Sequence, residues 1–220
     1  AHGGDPTPCT PRPCRRERWV ALKLLKHGDP ETLSRFVREA RAQAACDHPH
    51  ICRVHGLVLV NGTPAIVMQL VEGSTLGESF DQMPLLDRVR VMRDVADALG
   101  AAHQRGLVHR DVKPANILLE RLPDGRWYGY LTDFGAARVR DRTAYTVSGA
   151  AIGTPEYMAP EQVSGESVDG RCDVYALGCV LYELITGTRP FSGDSSVIVL
   201  GKQIREVPEP PRERAPDRRI

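Results

Sequence analysis

Residues 109–116 read His109-Arg110-Asp111-Val112-Lys113-Pro114-Ala115-Asn116, and Asp133-Phe134-Gly135 follows seventeen positions beyond Asn116. A carboxylate able to take a proton, an ammonium group and an amide thus sit close together, with a second carboxylate one hairpin later. Phosphoryl transfer asks for that combination, because most of its catalysis is positioning and neutralisation of charge. Upstream, Lys23 interrupts the apolar run Val20-Ala21-Leu22-Lys23-Leu24-Leu25. Burying a lysine is expensive unless it is paired. Taken singly, Lys23 reads as a snorkelling edge-strand lysine, and Asp111 and Asn116 as turn or capping residues.

The elements that must position these groups are legible in the periodicity. Val20–Leu25 reads as a strand, and Asp29-Pro30 as a helix start, a cap followed by proline at the first helical position. Leu33, Phe36, Val37 and Ala40 follow at helical spacing, with Glu39 at the margin of that face. Residues 51–60 and 64–71 read as strands joined by the turn Asn61-Gly62. A long helix is expected over about 85–104, with Leu86, Val89, Met92, Val95 and Leu99 on one face. Ile117-Leu118-Leu119 and Tyr128–Leu131 form a hairpin around Asp124-Gly125. Residues 173–186 form a helix apolar on most sides, including Val174, and so expected to be buried; Gly187 stops it. Residues 208–220 read as an exposed loop. Strands early and helices late suggest two lobes around a cleft.

The strings His109–Asn116 and Asp133–Gly135, with Gly153-Thr154-Pro155-Glu156-Tyr157-Met158-Ala159-Pro160-Glu161, resemble eukaryotic-type (Hanks-type) serine/threonine protein kinases, most closely bacterial ones, over about residues 19–205. The resemblance implies an α+β, two-lobed kinase-like fold with a small β-rich N-lobe (19–72) and a larger α-helical C-lobe (73–220) lacking the final helices. It implies ATP and Mg2+ as cofactors and protein substrates with Ser/Thr acceptors, self-phosphorylation included. By the same resemblance Lys23 contacts the α- and β-phosphates and pairs with Glu39. Asp111 is the base, Lys113 neutralises the transferred γ-phosphoryl, and Asn116 and Asp133 hold the metal through hard oxygen ligands. Ala21 and Leu118 sandwich the adenine, Met68 is the gatekeeper, and Gln69 to Val71 are the hinge. Arg110 receives a phosphate placed on the activation segment, with Thr143 and Thr146 as leading acceptors. Thr154 bridges Asp111 and Lys113, His109 packs on Phe134, and Asp173 anchors the catalytic loop.

The resemblance fails at the ends. The glycine-rich phosphate loop should fall at about residues 1–8, where only Gly3 and Gly4 fit, so residues 1–18 form an atypical segment. Pro6 and Pro8 have no N–H to offer a phosphate, and Asp5 adds a negative charge beside a polyanion. The arginine expected to pair with Glu161 is missing as well. An inactive remnant or pseudokinase acting as an interaction module is the alternative. A small-molecule phosphotransferase would lack the segment from Gly153 to Glu161.

The bulk properties agree with one soluble domain or two small lobes in 220 residues. A net charge of +1 gives no field for nucleic acid, and no apolar run is long enough to span a bilayer. The six cysteines show no repeated spacing, which suits free thiols in a reducing cytoplasm. Cys46, His48, His50, Cys52 and His55 could be drawn as a zinc site, but they alternate through one turn around Pro49 rather than forming separated pairs. A His-Pro-His-Ile turn between helix and strand is the plainer reading.

Overall fold

Strand β1 (Val20–Leu24) forms where the aliphatic run begins and pairs antiparallel with β3 (Thr63–Gln69), which pairs on its other side with β2 (Val54–Val60). The computed structural model describes residues 18–25, 30–134 and 155–218, without the side chains of Glu31, Arg35 and Glu39. Asn61 and Gly62 both take positive φ, 49° and 79°, as the two-residue turn matching strand twist demands. Helix α1 (Pro30–Ala44) covers the sheet through Phe36 and Ala40, which meet Cys52, Ile66 and Met68 in a small core. Leu33 departs from expectation. The buried face is centred on Phe36 and Ala40, so Leu33 lies at its margin and is exposed.

The larger lobe starts at β4 (Gly73–Thr75) and α2 (Leu76–Ser79), joined by a reciprocal cap. Thr75 Oγ1 accepts from the Glu78 N–H while Glu78 Oε2 accepts from the Thr75 N–H at 2.8 Å, which satisfies two otherwise orphaned donors. Strands β5 (Ile117–Arg121) and β6 (Trp127–Leu131) complete a second antiparallel sheet, ordered β4-β5-β6. Helices α3 (Leu85–His103), α4 (Pro160–Ser164), α5 (Arg171–Thr186), α6 (Ser196–Arg205) and α7 (Pro211–Arg214) form the rest. The core joins Val91, Val95 and Leu99 of α3 to Val180 and Leu184 of α5, with Ile117, Leu131 and Phe134.

Three expectations are corrected here. The buried stripe of α3 runs through Val91, Met92, Val95, Ala98, Leu99 and Ala102, so Leu86 and Val89 are solvent-exposed. Val174 is exposed although its helix is largely buried, because it lies opposite the side that meets α3. Residues 211–214 are helical, not loop, with Pro211 at the first turn where its missing N–H is harmless.

The strand expected from residue 51 begins at Val54, because residues 50–52 instead tie the lobes together. Leu131 donates its N–H to the His50 carbonyl and accepts from the Cys52 N–H, both at 2.8 Å. His50 donates Nδ1–H to the Gly129 carbonyl and stacks on Tyr128. Cys46 and Cys52 are buried thiols, and burial pushes Cys52 up to about 11. No cluster of three His, Cys, Asp or Glu side chains suited to a metal occurs among the described residues.

Candidate active site

The segment between α3 and β5 carries His109–Asn116, and it is held from beneath. Asp173, in the first turn of α5 and 0% exposed, accepts the His109 N–H at 2.8 Å and the Arg110 N–H at 2.7 Å. His103, at the end of α3, donates Nε2–H to the same carboxylate at 2.7 Å. These bonds hold Arg110 at φ +66°, a left-handed conformation that disfavours a side chain by about 1–2 kcal/mol. The His109 ring donates Nε2–H to the Thr132 carbonyl and accepts the Asp111 N–H at Nδ1. Burial holds its pKa below the usual histidine value, so the ring is a neutral spacer of fixed tautomer, 4.7 Å from the Phe134 ring.

Above this base the polar groups converge. Asp111 Oδ2 accepts from Lys113 Nζ at 2.9 Å and from Asn116 Nδ2 at 3.1 Å. Asn116 Nδ2 also donates to the Asp111 carbonyl at 2.7 Å, closing the short 3-10 turn Pro114–Asn116. Asp133, at φ +62°, pairs with Lys23 Nζ at 3.0 Å. Lys23 comes from β1, so this ion pair spans from the small lobe to the large one. Ala21 lies opposite Met68 in the β1–β3 register, and Met68 is buried in the small core. Gln69 and Val71 continue from β3 towards β4, and Leu118 lies in β5 opposite Thr75. Two groups of chemically active side chains result, the Lys23–Asp133 pair and the Asp111–Lys113–Asn116 trio, and their backbones meet where Thr132, next to Asp133, donates its N–H to the Asn116 carbonyl at 3.0 Å.

Such an arrangement has close parallels. A family description, protein kinase domain, matches residues 12–217. The chain belongs to the protein kinase family. The match is wider at both ends than the 19–205 suggested by motifs. The chain is 42% identical over 214 residues to the serine/threonine-protein kinase PknB of Mycobacterium leprae, covering 92% of this chain and 34% of that protein. It is 43% identical over 201 residues to the serine/threonine-protein kinase PkaB of Streptomyces coelicolor, covering 87% of this chain and 48% of the relative. The chain therefore spans about a third to a half of these curated relatives. A crystal structure of the Mycobacterium tuberculosis PknI kinase domain, in a form with one cysteine replaced by alanine, superposes with a TM-score of 0.67 at 32% identity, over 91% of this chain and 72% of that one. The fold is the two-lobed kinase fold, and the relatives are bacterial serine/threonine kinases.

Other expected site residues have different standing. Gly3, Gly4, Thr143, Thr146, Thr154 and the Glu39 side chain lie outside the described residues. The Nε of Arg110 is buried without a hydrogen-bond partner among the described residues. Glu161 is half-buried in the first turn of α4 and makes no ion pair among them. Sequence reasoning missed His103, whose only signal was a histidine in the last turn of the long helix. It also missed Gln162, which accepts from the Ala159 N–H and donates to the Arg110 carbonyl at 3.0 Å. Nothing in a glutamine one residue past Glu161 announces that role.

Protein kinases use ATP with a divalent metal, and the donor set here suits such an ion. Asn116 spends its amide nitrogen on Asp111 and keeps its oxygen as a donor atom, and Asp133 offers a half-exposed carboxylate. Magnesium takes few protein oxygens and fills the remaining positions with water and phosphate. Two hard oxygen donors beside a lysine are sufficient for that purpose.

Proposed function

We propose that this chain is the catalytic domain of a serine/threonine protein kinase that transfers the γ-phosphoryl group of ATP to protein hydroxyls, its own included. The observation that carries the reading is the joint placement of Lys23, Asp111, Lys113, Asn116 and Asp133 from both lobes on a backbone braced by Asp173. The lobes are taken as 19–72 and 73–220. Ala21, Met68, Gln69, Val71 and Leu118 form the adenine end, and Lys23, with Glu39, the phosphate end. Asn116 and Asp133 hold Mg2+, which when bound screens the charge of the phosphates.

Asp111 keeps Oδ2 on Lys113 and Asn116, and its other oxygen is left to accept the hydroxyl hydrogen of the substrate. That bond orients the serine or threonine oxygen toward the γ-phosphorus. As the new O–P bond forms, the bond to the β-phosphate oxygen breaks, ADP leaves and the proton passes to Asp111. Lys113, 2.9 Å from Asp111, also neutralises the transferred group. Arg110 has a buried Nε with no hydrogen-bond partner among the described residues, which suits a phosphate on the activation segment, with Thr143 or Thr146 as acceptor. Thr154 would join Asp111 and Lys113 on the substrate side. The four cysteines among the described residues are buried free thiols, which suits a cytoplasmic setting, and no helix among those residues is long and apolar enough to cross a membrane.

The test is intact mass after incubation with Mg-ATP, beside an Asp111→Asn control. Added phosphate on the parent and none on the control is expected. A folded parent that gains no phosphate and modifies no protein substrate would sink this reading in favour of an inactive interaction module.

A further inference from the structure

A second charged cluster stands beside the catalytic loop and takes no part in the chemistry above. Arg189, just past the end of α5, donates from Nη1 to Glu156 Oε1 at 2.7 Å and lies 3.5 Å through Nε from Glu183 Oε1. Its guanidinium also covers the Tyr157 ring, 5.7 Å from the centroid, and Tyr157 donates its hydroxyl to Glu183 Oε2. Burial, then the bond to Glu183, pushes that hydroxyl up, so it stays a neutral donor. One guanidinium therefore serves two half-buried carboxylates, whose side chains are 21% and 14% exposed. The second oxygen of Glu156 is buried with no hydrogen-bond partner among the described residues. Among the described residues the cluster holds two carboxylates and one guanidinium.

Its position gives that arrangement a use. Glu156 and Tyr157 belong to the short 3-10 turn Pro155–Tyr157, which Gln203 of α6 holds through the Pro155 and Glu156 carbonyls. The same stretch of chain continues to Gln162, whose amide bonds the Arg110 carbonyl next to Asp111. The turn and the residue before Asp111 are thus tethered through one short stretch of chain, and on the kinase reading a peptide whose hydroxyl is at Asp111 runs its flanking residues toward this turn. Arg189 itself is 41% exposed at the rim, so its guanidinium is the part of the cluster most open to solvent.

We propose that Arg189 is a built-in cation that occupies the acidic pair Glu156 and Glu183 and so sets the charge preference of the face receiving the protein substrate. With Arg189 in place the pair is largely satisfied from within, and a basic substrate side chain gains little there. Without it, two carboxylates share a half-buried site and a substrate arginine or lysine fills the vacated place. Arg189 is a specificity-determining residue, not a catalytic one. This inference rests on the kinase reading for the identity of the ligand, a Ser/Thr peptide, but not on phosphate being transferred.

The experiment is direct binding in the intact protein without ATP. Labelled alanine-based peptides with a central threonine carry one arginine, or one glutamate, walked through the flanking positions. Affinities are read by fluorescence anisotropy for the parent, Arg189→Gln, Arg189→Lys and Glu156→Gln. At one flanking position the arginine-over-glutamate preference should rise about fivefold in Arg189→Gln, the equivalent of one partly screened ion pair. Arg189→Lys should stay near the parent. Glu156→Gln, which removes charge from the opposite side with Arg189 intact, should lower the preference and keeps the question open to test if Arg189→Gln fails to fold. An unchanged preference in folded Arg189→Gln, or an unchanged one in Glu156→Gln, overturns the proposal, as does the absence of peptide binding to any variant. A protein that shows the shift yet transfers no phosphate sinks the kinase reading and leaves this one standing.

Discussion

Replacing Asp173 should damage this molecule more than replacing any single charged residue on its surface. The carboxylate is fully buried and accepts from two backbone N–H groups, of His109 and Arg110, and from His103. Asp173→Ala strands both N–H groups in a dry site, at about 1–3 kcal/mol each. It also relieves the desolvation of a buried carboxylate, which offsets part of the loss. The expected net destabilisation is about 3–5 kcal/mol, or a fall in melting temperature of about 6–20 °C for a chain of this size. Asp173→Asn keeps one acceptor oxygen but turns an NH2 toward the other N–H, so about 2 kcal/mol is expected. His103→Ala alone removes one partner from a partly exposed position and should cost about 1 kcal/mol. Its effect should vanish in the Asp173→Ala background, because both act through one carboxylate. Urea unfolding of the parent, three single variants and the double variant supplies every term. A loss below about 1 kcal/mol for Asp173→Ala, or equal losses for Ala and Asn, would refute the claim that this residue holds Arg110 in its left-handed conformation.

Acid should weaken the fold through His109. Its folded pKa lies below the unfolded value of 6.5, so the unfolded chain binds the extra proton. The stabilisation is present above that value and is lost as pH falls, by up to about 1.4 kcal/mol per pH unit. The pH dependence of unfolding free energy should flatten below that point in His109→Gln; parallel curves for the two proteins would contradict the buried neutral ring. Gly73→Ala should destabilise by about 2–3 kcal/mol in thermal melts, since a β-carbon there would run into the Leu119 carbonyl across the β4–β5 pair; a change below about 0.5 kcal/mol would count against that strand register. Asn116→Ala removes both amide bonds that fix Asp111, and steady-state phosphorylation of a peptide should fall about a hundredfold from misplacement of the base. A folded Asn116→Ala protein within about threefold of the parent would show that Asp111 needs no such brace.

Much of the fold could be read because it rests on local rules. Asn61-Gly62 and Asp124-Gly125 mark hairpins through the positive φ that only certain residues take easily. Gly187 ends α5 for the same reason. Helical periodicity found α1, α3 and α5 but not the orientation of each buried stripe. Leu33, Leu86, Val89 and Val174 have apolar neighbours at the right spacing, yet their exposure depends on which side meets another element. The His-Pro-His-Ile turn shows the same limit. A plain turn is the preferred reading of its histidines and cysteines, but that it clasps β6, through backbone bonds to Leu131 and the His50 ring on the Gly129 carbonyl, is visible only in the folded chain.

The sequence alone determined the chemical inventory. The order and spacing of Lys23, Asp111, Lys113, Asn116 and Asp133 name a family and a reaction class, because few other arrangements require those types in that order. Distance along the chain carries no information about distance in space, and that part was decided by tertiary structure. Asp173 lies sixty-four residues from His109, and Lys23 more than a hundred from Asp133, yet each pair meets within about 3 Å. The same holds for His103 on Asp173, Gln162 on Arg110 and Arg189 between Glu156 and Glu183. Each is a polar side chain with no motif of its own. Its role arises because packing α3 against α5 leaves particular backbone donors and carboxylates to be satisfied, and only the folded chain shows which residue is within reach.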